Sequence, residues 1–473
     1  MTITKQNSAL SRFSSVLDAK GVLTSAPDME GYLREWRGKY NGQAAAVLRP
    51  RSVSDVVEIV KIANQEQVAL VPQGGNTGLV GGQIAFDAER QFVVNLSRLN
   101  AVRDIDPIGY TITTEAGVIL QNIQNAADEV DRLFPLSLGS EGSCQIGGNL
   151  SSNAGGTGVL AYGNARDLVL GIEAVLPNGD IYNGLNRLKK NNTGYDLKNL
   201  FIGAEGTLGF ITAAVLKLFP KPRGQQAAFL ACRDLNAVAS FYTRAQSLAG
   251  QMITTFEVIP RIGIEFLTKH LDGARDPLET PAPWYVFVEL SSGQSNDHAD
   301  QLMMSLLQSG MENDEITDGT IAASQSQRQY FWHLRQELST CQKLEGGSIK
   351  HDVAVPVANL PAFIQKTLDA VHAFMPECRP VPFGHWGDGN IHFNITQPRG
   401  MDKDAFLNLW DDFNDIVHGV TLSYGGSISA EHGIGVMKRE ILTKVKDPVA
   451  LDLMQKLKTT LDPNGIMNPG KVL

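Results

Sequence analysis

Pro72 to Gly82 reads Pro-Gln-Gly-Gly-Asn-Thr-Gly-Leu-Val-Gly-Gly, five glycines in eleven residues. It directly follows Val68-Ala-Leu-Val, a short apolar run of strand character. Glycine at this density lets the backbone take positive φ and lets a ligand approach main-chain N–H groups. Asn76 and Thr77 add local hydrogen-bonding groups. A curled loop of bare N–H groups is an anion nest suited to a pyrophosphate. The plainer alternative is a flexible surface turn, because glycine-rich loops are common punctuation.

An echo downstream favours the nest. Pro135 to Gly163 is a second, longer Gly/Ser/Asn-rich segment, and a third piece runs from Asn192 through Gly203-Ala-Glu-Gly-Thr-Leu-Gly-Phe-Ile-Thr. These three segments, in this order, resemble the flavin-binding domain of the vanillyl-alcohol-oxidase/p-cresol-methylhydroxylase (PCMH) family. The resemblance implies a non-Rossmann α+β fold in which two glycine loops hold the FAD pyrophosphate and the third segment lines the adenine and ribose side. Carried over position by position, the first loop supplies Pro72, Gly74, Gly75, Asn76, Thr77, Gly78, Gly81 and Gly82. The second supplies Pro135, Gly139, Ser140, Gly142, Ser143, Ile146, Gly147, Gly148, Asn149, Ser152, Asn153, Gly155, Gly156 and Gly163. The third supplies Glu205, Gly206, Gly209 and Ile211.

The chain order agrees with such an architecture. Ala44 to Pro50 reads as a strand, Ser52 has N-cap character, and Val53, Val56, Val57, Val60 and Ala63 share one helical face. Two prolines within Phe219-Pro-Lys-Pro-Arg-Gly mark a boundary. The expected division is a two-subdomain PCMH-type FAD-binding domain over 1–222, a cap domain over 223–424 and a C-terminal segment over 425–473. The cap alternates strand-like and amphipathic helical runs, which resembles an antiparallel sheet covered by helices. The C-terminal segment returns to the flavin domain in relatives, and Asn468 is carried over as a flavin contact.

Composition excludes several classes. With 473 residues, 43% apolar and 19% charged, the chain has ample core for two or three domains. A net charge of −9 argues against a nucleic-acid partner. Four scattered cysteines without a C-x-x-C pair suggest neither a disulfide framework nor a thiolate zinc site. No apolar run approaches a membrane span. The N-terminus lacks an apolar signal core and carries few basic residues before Asp18, so a cytoplasmic location is expected.

The chemistry concentrates late in the chain. In Gly384-His-Trp-Gly-Asp-Gly-Asn-Ile-His-Phe-Asn-Ile, the apolar Ile391, Phe393 and Ile395 alternate with His392 and Asn394. A bend at Gly-Asp-Gly brings His385 back toward His392. Ser429-Ala-Glu-His-Gly-Ile-Gly supplies Glu431 and His432, whose side chains point apart on an extended backbone and so serve different roles. Two histidines and one carboxylate with an open fourth position make a catalytic divalent-metal set suited to zinc. The alternative is ordinary core and surface histidines, of which the chain has nine. On the former reading His385, His392 and Glu431 hold metal and His432 moves a proton.

Gly-His-x-Gly-Asp-Gly-Asn-x-His together with Glu-His-Gly resembles the D-2-hydroxyacid dehydrogenase branch of the flavin family, which takes D-lactate, glycolate or D-2-hydroxyglutarate. The resemblance implies zinc beside the flavin, His432 as base, and transfer of the C2 hydride to the flavin N5. Asn390, in the turn between the histidines, is expected to hydrogen-bond the C1 carboxylate. Arg335 and Ser339, four apart on one helical face, and Lys350 resemble the distal-carboxylate clamp of the hydroxyglutarate enzymes. Without the resemblance, Arg335 and Ser339 would read as a solvated helix face. Lys350 discriminates, because a lactate methyl gives an ammonium nothing to pair with. Ser339 stands where those enzymes commonly have threonine, which keeps D-malate and D-lactate as alternatives. A flavin subunit like those of multi-subunit glycolate oxidases is a further one.

No strand–G-x-G-x-x-G–helix fingerprint is present, so FAD rather than a nicotinamide is expected. No His or Cys occupies the first loop, and Cys144 lies too close to Gly147 for the family's cysteine linkage, so the FAD is expected to be non-covalent. The expected partners are a small D-2-hydroxyacid and an acceptor such as an electron-transfer flavoprotein or a quinone. A homodimer is the default for oligomeric state.

Overall fold

The computed structural model describes residues 2–473, which divide into two compact units. The first unit comprises 2–156, 163–220 and 431–473; the second comprises 157–162 and 221–430. The division after Pro220 lies two residues before the one expected from the prolines. The C-terminal segment counts with the first unit from Glu431 rather than from residue 425.

In the first unit, strands Gln43–Leu48 and Ala69–Gln73 both pair parallel to Phe86–Asn95, with Val22–Leu23 antiparallel at one edge. Parallel strands need a crossover, and helix Val53–Glu66 provides it. Ser52 caps that helix by accepting the Asp55 N–H at 3.2 Å. Its inner face buries Val56, Ile59, Val60, Ile62 and Ala63 against Ala46, Leu48, Leu70, Phe92 and Val94. Each of the larger aliphatics contributes about 1.5–3 kcal/mol by leaving water. The far edge of the sheet is covered by residues from the other end of the chain. Leu70 N–H donates to Ile466 O and Asn468 N–H donates to Leu70 O, each at 2.8 Å. A second, antiparallel sheet orders Val102–Asp106, Thr111–Glu115, Phe210–Lys217, Val169–Val175 and Ile181–Asn183.

The second unit is one antiparallel sheet in the order Asp318–Ile321, Gly224–Cys232, Trp284–Ser292, Ile253–Pro260, Arg379–His385, Asn390–Thr396, Ser348–Ile349. Asp352–Ala354 also pairs with Asn390–Thr396. The period-2 alternation of strand side chains splits its core in two. Phe256, Val258, Val286, Val288, Ile391 and Phe393 pack under helices Leu235–Ala249, Asn296–Glu312, Leu360–Phe374 and Trp410–Ser423. Ile259, Tyr285, Phe287, Val381 and Phe383 pack under Arg261–His270 and Gln325–Lys343. Among the described residues, no helix is long and apolar enough to cross a membrane. All four cysteines are buried and free.

Candidate active site

The first glycine loop is pinned. Asn76 Nδ2 donates to the carbonyls of Gly31 and Arg34, both at 2.9 Å. Gln73 Nε2 bonds Tyr32 O and Gln83 O, Asn95 Nδ2 bonds Gly74 O, and Gln83 Nε2 bonds Gly78 O. A Cβ on Gly75 would lie 2.1 Å from Ser143 O, so the second loop backs the first at a distance only glycine permits. Asn76 itself adopts a left-handed φ of 57°. Two of these bonds occupy loop carbonyls, those of Gly74 and Gly78. Among the described residues, the N–H groups of Gly74 to Gly78 donate to no protein acceptor.

Those N–H groups line a cavity of 140 Å³ together with Pro72, Gly82, Gly147, Gly148, Asn149, Ser152, Gly206, Gly209 and Ile211. Buried oxygens Asn76 Oδ1, Gln145 Oε1 and Asn149 Oδ1 have no partner there. Unpaired N–H donors beside unpaired carbonyl oxygens fit a ligand that offers phosphate oxygens and hydroxyl or N–H donors, as FAD does. Sequence reasoning missed Gln145, Ala116 and Gln73 among the lining residues; Gln145 opens the short helix Ile146–Ser151 and carried no motif signal.

Several expected FAD contacts lie outside this lining. Ile146 is fully buried, Asn153 Oδ1 accepts the Arg166 N–H, and Ser143 supports Gly75 from behind. Gly81, Pro135, Gly139, Ser140, Gly142, Gly155, Gly156 and Gly163 also fall outside it. A Cβ on Gly156 would meet Ser137 O at 2.1 Å, and one on Gly163 would meet the Asp167 carboxylate, so these two serve chain packing. Asn468 sits at φ 44° and donates to Gly82 O and Glu205 O, which ties the first and third segments together. A wider cleft of 780 Å³ around residues 184–198 shares no lining residue with the cavity.

His432 lines the same cavity. The segment that follows it is tied down at two places. Val80 O accepts the Val436 and Met437 N–H groups. The Glu205 carboxylate accepts the N–H groups of Ile434 at 2.6 Å and Gly435 at 2.8 Å. Burial pushes the Glu205 carboxyl up, and the two N–H groups and Lys438 pull against that rise. Glu205, expected to contact the cofactor, has spent its carboxylate on holding the His432 segment.

In the second unit the two histidines meet on adjacent strands. His385 pairs with Asn390 and His392 with Phe383, so the imidazoles are diagonal neighbours with ring centroids 5.5 Å apart. The turn between them requires Gly389, whose φ is +83° and whose Cβ would strike Val355 O at 2.1 Å. Both Nδ1 atoms face carboxylates. His385 Nδ1 is 2.5 Å from Glu257 Oε1, and His392 Nδ1 is 3.9 Å from Asp352 Oδ1. His385, whose Nδ1–H is held by a carboxylate, presents Nε2 as its ligand atom; the His392–Asp352 separation is too long for a hydrogen bond.

Glu257, on strand Ile253–Pro260, is 1% exposed, and no expectation from the sequence included it. Its second oxygen, Oε2, accepts Arg335 Nε at 2.5 Å. Burial alone would raise this carboxyl; Arg335 and His385 outweigh it and hold the carboxyl at about 2. Burial pushes Asp388, in the turn, up to about 6 against the nearby His385. The signal available for Glu257 was a lone acid inside the β-rich run Ile-Thr-Thr-Phe-Glu-Val-Ile-Pro.

Arg335 and Ser339 lie on helix Gln325–Lys343 as their spacing implies, and the Arg335 guanidinium stacks 5.0 Å over the Phe383 ring. Its terminal nitrogens have no protein acceptor among the described residues. Lys350 is half-buried between strands Ser348–Ile349 and Asp352–Ala354. Asn390 departs from its expected role. Both hydrogens of its buried amide are taken, by Asp352 Oδ1 and Val353 O at 3.0 Å each, so it orients Asp352 rather than donating to a substrate carboxylate. Ala430 N–H bonds Asp352 O at 3.3 Å, and the chain continues from there into Glu431.

Comparison with known proteins supports a flavin-dependent dehydrogenase. Residues 44–184 match the FAD binding domain family, and residues 221–472 match the family of FAD linked oxidases, C-terminal domain. The mitochondrial D-2-hydroxyglutarate dehydrogenase of Arabidopsis thaliana is 36% identical over 98% of this chain and 81% of its own length. A putative mitochondrial D-lactate dehydrogenase of Schizosaccharomyces pombe is also 36% identical, over 98% of this chain and 88% of its own length. The structure of p-cresol methylhydroxylase with substrate bound superposes with a TM-score of 0.77 at 18% identity, over 99% of this chain and 97% of that one. The mitochondrial names of both relatives overturn the expected cytoplasmic location. On the matched domains and the near-complete relatives, the chain belongs to the FAD-linked D-2-hydroxyacid dehydrogenases of the vanillyl-alcohol-oxidase/p-cresol-methylhydroxylase flavoprotein family.

Proposed function

We propose that this protein oxidises D-2-hydroxyglutarate to 2-oxoglutarate with the help of a divalent metal ion, and that zinc suits the donor set. The observation that carries the metal assignment is the His385–His392 pair, with each Nδ1 turned to a carboxylate. Glu431 completes the set in this reading. Its neighbour Ala430 is bonded to Asp352, which pairs with His392 across the strands. Two imidazoles and one carboxylate leave a coordination position open for substrate oxygens.

FAD, when bound, accepts the C2 hydride, and the ion, when bound, acidifies the C2 hydroxyl. The chain's own residues do the rest. His432 in its neutral form takes the hydroxyl proton. Its seat on the lining of the cofactor cavity supports that role. Glu205 and Val80 hold its segment in place. Arg335, with its terminal nitrogens open, offers a planar fork to the distal carboxylate, and Ser339 and Lys350 join it there. The products are the 2-oxoacid, two protons (one taken by His432, one carried in the hydride) and two electrons, which leave to an electron-transfer flavoprotein or a quinone. FAD is held without a covalent bond; Cys144 is buried and lies outside the cavity lining.

A second reading, D-lactate as substrate, is favoured by the Schizosaccharomyces pombe relative. Anaerobic bleaching separates the two. Purified yellow protein is mixed with D-2-hydroxyglutarate, D-malate or D-lactate while visible absorbance is followed. Rapid bleaching by the five-carbon diacid alone is the expected result. Preferential bleaching by lactate would reassign the substrate and remove the clamp.

A further inference from the structure

Glu257 has no place in the reaction as written, yet it is among the most buried carboxylates in the chain. Burying a carboxylate is costly unless every lone pair finds a donor. Here one oxygen bonds His385 Nδ1 and the other bonds Arg335 Nε, each at 2.5 Å. The strand register sets up the contact with His385. Glu257 pairs directly with His385 across the two central strands. Both side chains rise on the sheet face covered by helix Gln325–Lys343, where Arg335 is also buried over Phe383.

We propose that Glu257 is a positioning residue that orients the metal-ligand histidine and the substrate-anchoring arginine through one carboxylate. This rests on the metal assignment above and extends it. With Oε1 accepting from Nδ1–H, His385 is fixed in the tautomer that carries its lone pair on Nε2, the atom a metal would take. With Oε2 accepting from Nε–H, Arg335 turns its two terminal nitrogens away from the sheet as a ready fork. The ligand histidine and the carboxylate anchor are thereby set at a fixed separation, which ties metal affinity to the length of the substrate accepted.

A carboxylate is the one side chain of this size with two acceptors and no donor, so Glu257→Gln cannot satisfy both neighbours. If its oxygen serves Arg335, its NH₂ meets His385 Nδ1 and forces the proton onto Nε2. If its oxygen serves His385, its NH₂ faces the Arg335 N–H. Glu257→Asp keeps two acceptors but withdraws them by one methylene.

The test is the zinc dissociation constant of FAD-loaded protein, measured by chelator competition for the native protein and both variants, with FAD content as the control. Glu257→Gln is expected to bind zinc about 10–100-fold more weakly at unchanged FAD content, and Glu257→Asp should fall between it and the native protein. The KM for D-2-hydroxyglutarate should rise in Glu257→Gln by a larger factor than the KM for D-lactate. If Glu257→Gln does not fold, Glu257→Asp carries the test, and native-like zinc affinity in it would overturn the proposal. Native-like affinity in Glu257→Gln would also overturn it while leaving the metal assignment standing. A native protein without a stoichiometric divalent ion would overturn both.

Discussion

Glu257 Oε1 and His385 Nδ1 face each other at 2.5 Å on neighbouring strands, and the bond joins two residues 128 positions apart in the chain. The strand that carries the histidine was chemically conspicuous in the sequence. The strand that carries the glutamate was not.

Gly75 stands where no side chain fits, with its would-be Cβ 2.1 Å from Ser143 O. Gly75→Ala must push the two glycine loops apart and spread the N–H groups of Gly74 to Gly78. FAD affinity is expected to fall at least about tenfold, or 1.4 kcal/mol. The check is the ratio of visible to ultraviolet absorbance after desalting. The second unit should keep its fold, because its cores are built from its own residues.

His432→Ala is expected to lower kcat by about 10²–10⁴ while FAD and metal contents stay native. A general base works only when neutral, so a rate that depends on one rises with pH. The variant should lose that limb of the kcat/KM profile. An unchanged profile would remove His432 as the base.

Lys350→Ala should raise KM for D-2-hydroxyglutarate at least about tenfold, the ordinary worth of one charge-assisted hydrogen bond of 1.5–3 kcal/mol. It should leave KM for D-lactate nearly unchanged. Equal effects on both substrates would mean that the lysine serves the fold.

Three donors converge on Glu345: Lys269 and His270 at 2.6 Å, and Arg379 from the neighbouring strand. Burial alone would raise its carboxyl, but Lys269, Arg379 and His270 hold it at about 2. A carboxyl depressed in the folded state stabilises the protein above its unfolded pKa and loses that contribution as pH falls from about 4.5 toward 2. Glu345→Gln should cost about 3 kcal/mol at neutral pH and flatten the acid limb of stability against pH. Denaturant midpoints between pH 7 and pH 3 would show both effects.

What was legible in the sequence was local. The glycine loops, the Ser52 cap, the helix face through Val56, Val60 and Ala63, and the hairpin from His385 to His392 all follow from residues a few positions apart. What was not legible depends on register between distant strands. Nothing near Glu257 indicates that its strand pairs with the one ending at His385, and nothing near Asn390 indicates that Asp352 takes its amide. Glu205 lines the cavity as its segment implied, but its bonds to the His432 segment were not legible. Its acceptors are filled by backbone N–H groups 229 and 230 residues later, which carry no residue-type signal at all.

The edge of the first sheet at Leu70 is completed by Ile466 to Asn468, about 400 residues further along. On a ribosome adding about 5–20 residues per second, the strand leading into the glycine loop waits about 20–80 seconds for its neighbour. Residues 221–430 emerge in that interval and form a self-contained sheet and helix layers of their own. In that interval the edge of the first sheet at Leu70 is an exposed β edge, open to chaperones and to aggregation.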